Sequence, residues 1–380
     1  MKIVVAPDSF KGSLTAMDAA LSMARGILRV IPDAEIVLLP VADGGEGTVD
    51  VLVANCGGAI HRAWVRDPLG KSICARFGLL SPNAQTAVIE VAAASGLELV
   101  PKPMRNPCLT SSYGTGQLIL EAVGAGAKRI IVGLGGSATN DGGAGMLQAL
   151  GVDFIDANGL IMPSGISGSD LSSISGIDAR STRKSLDGIQ LIGASDVTNP
   201  LCGAQGASAV YGFQKGASQA MVDMLDVSLK HYAALIRRDL GADVEEMPGA
   251  GAAGGLGAGL LALGGTLQSG IDLILDAIKF ERYVPHSSYV VTGEGKIDMQ
   301  TCCGKAIGGI LERCRKLGDV PLMAVGGVVE QDASIAFKTA GIFCTVQIAN
   351  EGMDEEEAKG DAARLLENTL ADLFRQLIRK

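Results

Sequence analysis

Short β-branched runs recur along the chain, and each ends in a loop rich in glycine or acid. Ile3–Ala6 runs into Pro7-Asp8-Ser9-Phe10-Lys11-Gly12, and Ile36–Pro40 into Val41-Ala42-Asp43-Gly44-Gly45-Glu46-Gly47. Ile130–Val132 ends in the glycine string Gly133–Gly145, and Ile189–Gly193 in Ala194-Ser195-Asp196-Val197-Thr198-Asn199-Pro200. Tyr289–Thr292 leads to Gly293-Glu294-Gly295-Lys296-Ile297-Asp298, Pro321–Val325 to Gly326-Gly327, and Phe343–Ile348 closes the series. Helical stretches follow most of these loops. Strands that alternate with helices predict an open, mostly parallel sheet, so the fold class is α/β. Three helices stand out. Ser13 or Thr15 is placed to cap one through Met17, Leu21, Ala24 and Leu28, stopped by Pro32. A second runs from Met221 to about Leu240. A third covers 354–380, acidic at its start and basic at its end as the helix dipole favours.

Between the second and third runs the pattern changes. Ala63–Arg66, Lys71–Leu80 and Thr86–Ala92, separated by the turns Asp67-Pro68-Leu69-Gly70 and Ser81-Pro82-Asn83, read as an antiparallel meander. Turn-rich sequence returns at Val152–Gly159. These interruptions predict a smaller, discontinuous second domain with antiparallel or mixed strands, inserted into the first and separated from it by a cleft. The first domain would take 1–60, 108–150, 186–200 and 271–380, and the second 61–107, 151–185 and 201–270.

Composition sharpens this picture. A chain of 380 residues exceeds the roughly 250–300 at which single cores stop growing, which favours two domains. With 52 glycines and only 4% aromatic residues, it suits buried aliphatic strands joined by backbone-rich loops. The net charge of −9 argues against a nucleic-acid partner. Eight scattered cysteines, among them Cys302 and Cys303, include no C-x-x-C pair, and only three histidines are present, so neither zinc nor disulfides are expected. Ile3-Val4-Val5-Ala6 is too short for a signal-peptide core, so a cytoplasmic protein is expected. Gly249–Leu267 carries no charge but is too glycine-rich for a membrane span and reads as a buried loop and helix.

Parallel sheets bind ligands beyond the carboxyl ends of their strands, and there the acids Asp8, Asp43, Asp141, Asp196, Glu294 and Asp298 are expected along one edge. The string Gly133–Gly145 offers backbone N–H groups and a helix start to an anion, with Ser137, Thr139 and Asn140 adding side-chain donors. Two dinucleotide fingerprints fail on context. Gly249-Ala250-Gly251-Ala252-Ala253-Gly254 does not follow a strand, and Gly133, Gly135, Ala138 lacks an acid at the end of the next strand. Gly70-Lys71-Ser72 mimics the tail of a Walker loop but lies in a hairpin. What remains is a phosphoryl-transfer set without a Walker loop: glycine loops for phosphate, acids for magnesium or a hydroxyl proton, and the cations Lys11 and Lys296 at strand ends.

The blocks Ala6–Ser13, Val41–Thr48, Tyr113-Gly114-Thr115-Gly116, Gly133–Gly145, Asp196–Leu201, Pro248–Gly259 and Thr292–Gly295 together resemble the bacterial class I glycerate kinase family, the glycerate 2-kinase type. That resemblance spans nearly the whole chain. It implies a Rossmann-like domain plus a smaller α/β domain, and a cytosolic enzyme that uses ATP and Mg²⁺ to convert D-glycerate to 2-phosphoglycerate in glycerate, glyoxylate or sugar-acid catabolism. Ser195, Lys296 and Met299-Gln300-Thr301 depart from the family pattern. In that frame Asp8 and Lys11 line the transfer site. Asp196 is the first candidate to orient or deprotonate the acceptor hydroxyl, with Asp43 second. Asp43, Glu46 and Asp141 are magnesium candidates. Gly135, Gly136, Ser137, Thr139, Asn140, Asn199, Glu294, Lys296 and Asp298 would hold phosphate or substrate, and Arg66, Lys71 or Arg105 the glycerate carboxylate. A 3-kinase, a nicotinamide-dependent dehydrogenase of a small hydroxy acid and a non-catalytic acid-binding protein stay open at this stage, as does the oligomeric state.

Overall fold

A computed structural model describes residues 1–81, 85–299, 301, 306–350 and 353–379. Pro82, Asn83, Gln300, Cys302 and Cys303 lie outside the described residues. Strands run in chain order as β1 (Lys2–Val5), β2 (Glu35–Leu38), β3 (Gly58–Arg66), β4 (Ser72–Leu80), β5 (Thr86–Glu90), β6 (Arg129–Gly133), β7 (Asp153–Asp156), β8 (Ile174–Asp178), β9 (Gln190–Ala194), β10 (Thr266–Gln268), β11 (Tyr289–Ile297), β12 (Leu322–Val329) and β13 (Cys344–Gln347).

The chain forms two units, 1–43 with 271–380, and 44–270. In the first, five parallel strands lie in the order β13-β12-β11-β1-β2. Ile3 pairs with Tyr289 on one side and Ile36 on the other, so β1 is central, and Ile3, Val4 and Val5 are fully buried, as an aliphatic strand covered on both faces must be. Thr15 caps the helix Ala16–Leu28 by accepting the Asp18 N–H at 3.1 Å. This helix packs on Ala362–Ile378 so closely that a side chain on Gly26 would collide with the Glu367 carbonyl. The predicted C-terminal helix is two helices, Glu355–Gly360 and Ala362–Ile378, separated at Asp361.

The second unit holds a six-stranded sheet, β10-β9-β6-β5-β4-β3, and the hairpin β7-β8. From β10 to β5 the strands are parallel, whereas β5-β4 and β4-β3 are antiparallel. The expected meander is therefore present. Its first turn is closed by Asp67, whose Oδ1 accepts from the N–H groups of Leu69 and Lys71, both at 2.8 Å. The predicted second helix starts at Gln219 and continues through Leu235 into one π turn, Ile236–Leu240.

One division differs from the sequence reading. Segments 108–150 and 186–200 supply β6 and β9 to the six-stranded sheet, not to the sheet built on β1, and the insertion is the continuous stretch 44–270, the longer of the two parts. The cause is physical: a buried parallel strand reads as the same β-branched run whichever sheet it joins, and its hydrophobic pattern does not encode its pairing partner. The acids predicted to share one edge consequently end strands of two different sheets.

Candidate functional site

Within the first unit, strand pairing gathers three acids. The chain after β2 runs beside the chain after β1, with Leu39 N donating to Val5 O and Val41 N to Pro7 O, at 2.8 and 2.9 Å, and this carries Asp43 toward Asp8. On the other side Asp8 N donates to Gly293 O at 2.8 Å, which places Glu294 alongside. Asp8 is buried, and burial raises its carboxyl well above the usual carboxylate range. The charge of Asp43 and then that of Glu294 push it further in the same direction. The Ser9 N–H, donating to Asp8 Oδ1 at 2.6 Å, opposes the rise without cancelling it. Such a cluster favours whatever adds positive charge beside it. Lys11 lies exposed in the tight turn between Phe10 and Leu14, and this turn packs against Gly295. Lys296 Nζ pairs with Glu330 at 2.7 Å and stands 3.9 Å from Asp298.

Within the second unit, two glycine loops meet over the carboxyl ends of β6 and β9. Leu134 N donates to Ala194 O at 3.0 Å and Gly135 N to Gly44 O at 3.4 Å. A side chain on Gly133 would strike the Gly44 carbonyl, and one on Gly135 would come within 2.6 Å of Gly45 Cα, so the clustered glycines let backbone lie on backbone. Glu90 ends β5, is buried, and accepts the Val49 N–H at 2.8 Å, capping the helix Thr48–Cys56 that follows Glu46 and Gly47. Burial raises its carboxyl. Glu46 itself is exposed.

The string Gly133–Gly145 is polar yet buried except at Gly135 and Gly136. Asp141 is fully buried, with Oδ2 accepting from Ser112 N and Ser112 Oγ at 2.7 Å each and from Gly145 N at 3.3 Å, and Oδ1 accepting from Gly143 N at 3.1 Å. This does not fit the metal role expected of it: the oxygens are committed to four donors that shape the loop. Burial outweighs these bonds and raises its carboxyl. Asn140 Nδ2 donates to Ser208 Oγ at 2.8 Å. Thr139 Oγ1, Asn140 Oδ1 and the Tyr232 hydroxyl, all buried, have no hydrogen-bond partner among the described residues. The helix after the string is one and a half turns long, Ala144–Ala149.

A buried lysine from a distant segment holds this loop. Lys215, in the short turn Phe213–Lys215, donates to Ser137 Oγ at 2.9 Å and Thr139 O at 2.7 Å. Burial pulls its ammonium down to about 7, against the favourable charge of Asp141. Sequence reasoning passed over Lys215. Its signal was that it is the only charged residue between Asp196 and Asp223. Glu90 was missed likewise, although an acid closing the run Thr86–Glu90 repeats the pattern of the recognised loops.

Asp196 follows β9, half-buried, and its Oδ1 accepts the Gly270 N–H at 2.9 Å. Asn199 donates through Nδ2 to Gln205 O and accepts from the Tyr211 hydroxyl at 2.8 and 2.7 Å. The failed fingerprint at 249–254 is explained here. Gly251 N donates to Asn199 O at 3.0 Å, and Gly254 lies against Thr139, so these glycines pack the loop 139–142 and carry no dinucleotide signature. Of the three proposed carboxylate cations, Arg66 and Lys71 flank one turn, that between β3 and β4. Arg66 stacks over Tyr113 at 4.6 Å and donates to Ser164 Oγ at 3.1 Å, Arg105 pairs with Glu98 at 3.2 Å, and Lys71 is exposed at the β3-β4 turn.

The comparisons with known proteins agree with one another. A model of the glycerate kinase family matches residues 3–378. The glycerate 2-kinase of Escherichia coli (strain K12) is 48% identical over 88% of this chain and 87% of its own length. The glycerate kinase of Bacillus subtilis (strain 168) is 46% identical over 98% of this chain and 97% of its own. A crystal structure described as that of a glycerate kinase 2 from Salmonella typhimurium LT2 superimposes with a TM-score of 0.86 and 42% identity, covering 100% of this chain and 98% of that one. Family model, relatives nearly half identical along almost their whole length, and a matching fold lead to one conclusion: the chain is an enzyme of the glycerate kinase family.

Proposed function

We propose that the protein transfers the γ-phosphoryl group of ATP to the 2-hydroxyl of D-glycerate, giving 2-phosphoglycerate, and does so with Mg²⁺ in the cytoplasm. The observation that carries this reading is the acid cluster formed beyond the carboxyl ends of β1 and β2 and beside Glu294 of β11, where Asp8 is buried between Asp43 and Glu294 at a cost that bound positive charge would relieve. Among the described residues no three His, Cys, Asp or Glu side chains form a ready-made metal cage. Magnesium binds through one or two carboxylates together with waters and substrate phosphates. Asp8 and Asp43 are the residues to hold it, with Glu46 acting through water. When bound it neutralises charge on the phosphate oxygens.

The chain's own groups supply the rest. Lys11 meets charge on the transferring group. Gly135, Gly136, Ser137, Thr139 and Asn140 present donors to anionic oxygens, while Asp141 shapes their loop from beneath. Asp196 accepts the proton of the acceptor hydroxyl. Asn199, Glu294, Lys296 and Asp298 are the further groups proposed to hold phosphate or substrate.

The test is ADP release, coupled to NADH oxidation, with D-glycerate, ATP and Mg²⁺. Activity should vanish with chelator, and phosphorus NMR of the product should show a 2-phosphate. A 3-phosphate would move the chain to the other kinase type, and no ADP release would end the reading. Asp196→Asn should lower kcat at least about a hundredfold, and near-normal turnover would remove Asp196 from the base role.

A further inference from the structure

The buried cation against the Gly133–Gly145 loop is Lys215, and its bonds constrain chemistry as well as shape. Its Nζ donates to Ser137 Oγ at 2.9 Å and to Thr139 O at 2.7 Å, and its side chain is buried. An ammonium has donors and no acceptor, so while Lys215 is charged the Ser137 oxygen must serve it as an acceptor. The Ser137 proton is then directed away from Lys215. Among the described residues no hydrogen bond takes it, and Ser137 keeps 7% of its surface open. A neutral amine carries a lone pair, which can accept the Ser137 proton and turn the hydroxyl inward.

We propose that Lys215 is a positioning residue: its ammonium fixes Ser137 Oγ as an acceptor and so aims the Ser137 hydroxyl proton at an anionic oxygen of a bound substrate. This rests on the phosphotransferase reading above and adds to it a reason for the buried cation. The anionic oxygen belongs either to the glycerate carboxylate or to an ATP phosphate. Because burial brings the ammonium down to about 7, the device is sensitive to pH near neutrality. The titratable groups facing this region are Asp141, within the loop, and Tyr232, on the helix Gln219–Leu235. Asp141 favours the charged lysine, and the Tyr232 hydroxyl is held protonated by burial.

The experiment compares wild type, Ser137→Ala, Lys215→Met, Lys215→Arg and the Ser137→Ala/Lys215→Met double variant by kcat/KM for D-glycerate and for ATP, from pH 6 to 9. Each of Ser137→Ala and Lys215→Met should lower kcat/KM on the order of ten- to hundredfold toward whichever substrate supplies the oxygen. The double variant should be no worse than the poorer single one, because Lys215 acts through Ser137. Lys215→Arg, which keeps the donor charge, should recover part of the loss. In wild type this kcat/KM should fall as pH rises past about 7, and Ser137→Ala should lack that limb.

Multiplying losses in the double variant, or a Ser137→Ala profile that keeps the alkaline limb, would overturn the proposal. Should Lys215→Met fail to fold, the Ser137→Ala profile decides alone. Calorimetric titration of the same proteins with MgATP and with D-glycerate separates the two levels. Absence of ADP release from wild type removes the phosphotransferase reading, whereas equal affinities in wild type and Ser137→Ala remove the role of Lys215.

Discussion

Lowering the pH from 9 to 7 should destabilise the protein through one side chain, Lys215. Its ammonium is buried and falls from its ordinary 10.5 to about 7. A base with a depressed folded value contributes fully to stability above its unfolded value and loses that contribution as pH falls toward the folded one. Here the window runs from about 10.5 down to about 7; below it both states carry the proton and the curve flattens. The whole span is worth about 5 kcal/mol, at roughly 1.4 kcal/mol per unit. Between pH 9 and 7 the expected change is about 2 kcal/mol, since at the lower limit the native amine is half protonated. The perturbation is Lys215→Met, similar in length and without charge. It removes the donor to Thr139 O, costing about 1–3 kcal/mol at every pH, and abolishes the slope. Urea unfolding of both proteins at pH 6, 7, 8 and 9 gives the difference curve, from which groups common to both cancel. The gap should widen in favour of wild type by about 2 kcal/mol from pH 7 to 9. Parallel curves would refute the reasoning, because the ammonium would then reside in surroundings no less favourable than water.

Asp8→Asn should uncouple stability from activity. An acid whose folded value is raised is favourable at low pH and costs stability as pH rises through that value, so the variant should melt higher than wild type at pH 7–8, with the gain shrinking toward pH 4; kcat should fall at least about a hundredfold, and a lower melting temperature at pH 8 would contradict the burial argument. Tyr232→Phe removes a buried hydroxyl that has no partner among the described residues and should stabilise by about 1 kcal/mol in urea unfolding, whereas destabilisation would mean that the hydroxyl is satisfied. Gly254→Ala places a side chain at φ 71° against the Thr139 carbonyl, and should cost roughly 3 kcal/mol and reduce turnover; unchanged turnover would detach this packing from the loop 139–142.

Much of the architecture was legible because strand and loop chemistry is local. The β-branched runs became β1, β2, β6, β9, β11, β12 and β13, the Asp67–Gly70 turn closed as expected, and Thr15 capped its helix. Pairing was not legible: nothing in Ile130–Val132 says that its neighbours are β5 and β9, so a second sheet read as part of the first. Among site residues, Asp8 and Asp43 follow neighbouring strands of one sheet and came together as anticipated. Asp141 was read as a ligand because an acid in a glycine loop looks the same whether its oxygens face solvent or, as here, the Ser112 and Gly143 donors. Lys215 was overlooked for a related reason: a lysine is assigned to the surface by default, and only the tertiary fold reveals that Ser137 and Thr139 are its surroundings.

These two buried charges share a logic. In a structure optimised only for stability, Asp8 would not lie between two further acids, nor would Lys215 lie where its charge is pulled toward neutrality. Each is held instead by backbone geometry that leaves it little choice. Asp8 is fixed by the register of β1 on β11, and Lys215 by a turn whose Gly216 packs against Arg105 backbone. Relaxing either would require shifting a strand or a loop packed glycine to backbone, so the unfavourable charge is retained in the folded state. A phosphotransferase gains from this arrangement because its transition state is stabilised by charges already in place and deprived of water. The cost appears as lost stability, and the return appears only when a ligand of opposite charge arrives. Substrate-linked stabilisation should therefore exceed what contact area alone supplies, and it should shrink in Asp8→Asn, where the repulsion that ligand binding relieves has already been removed.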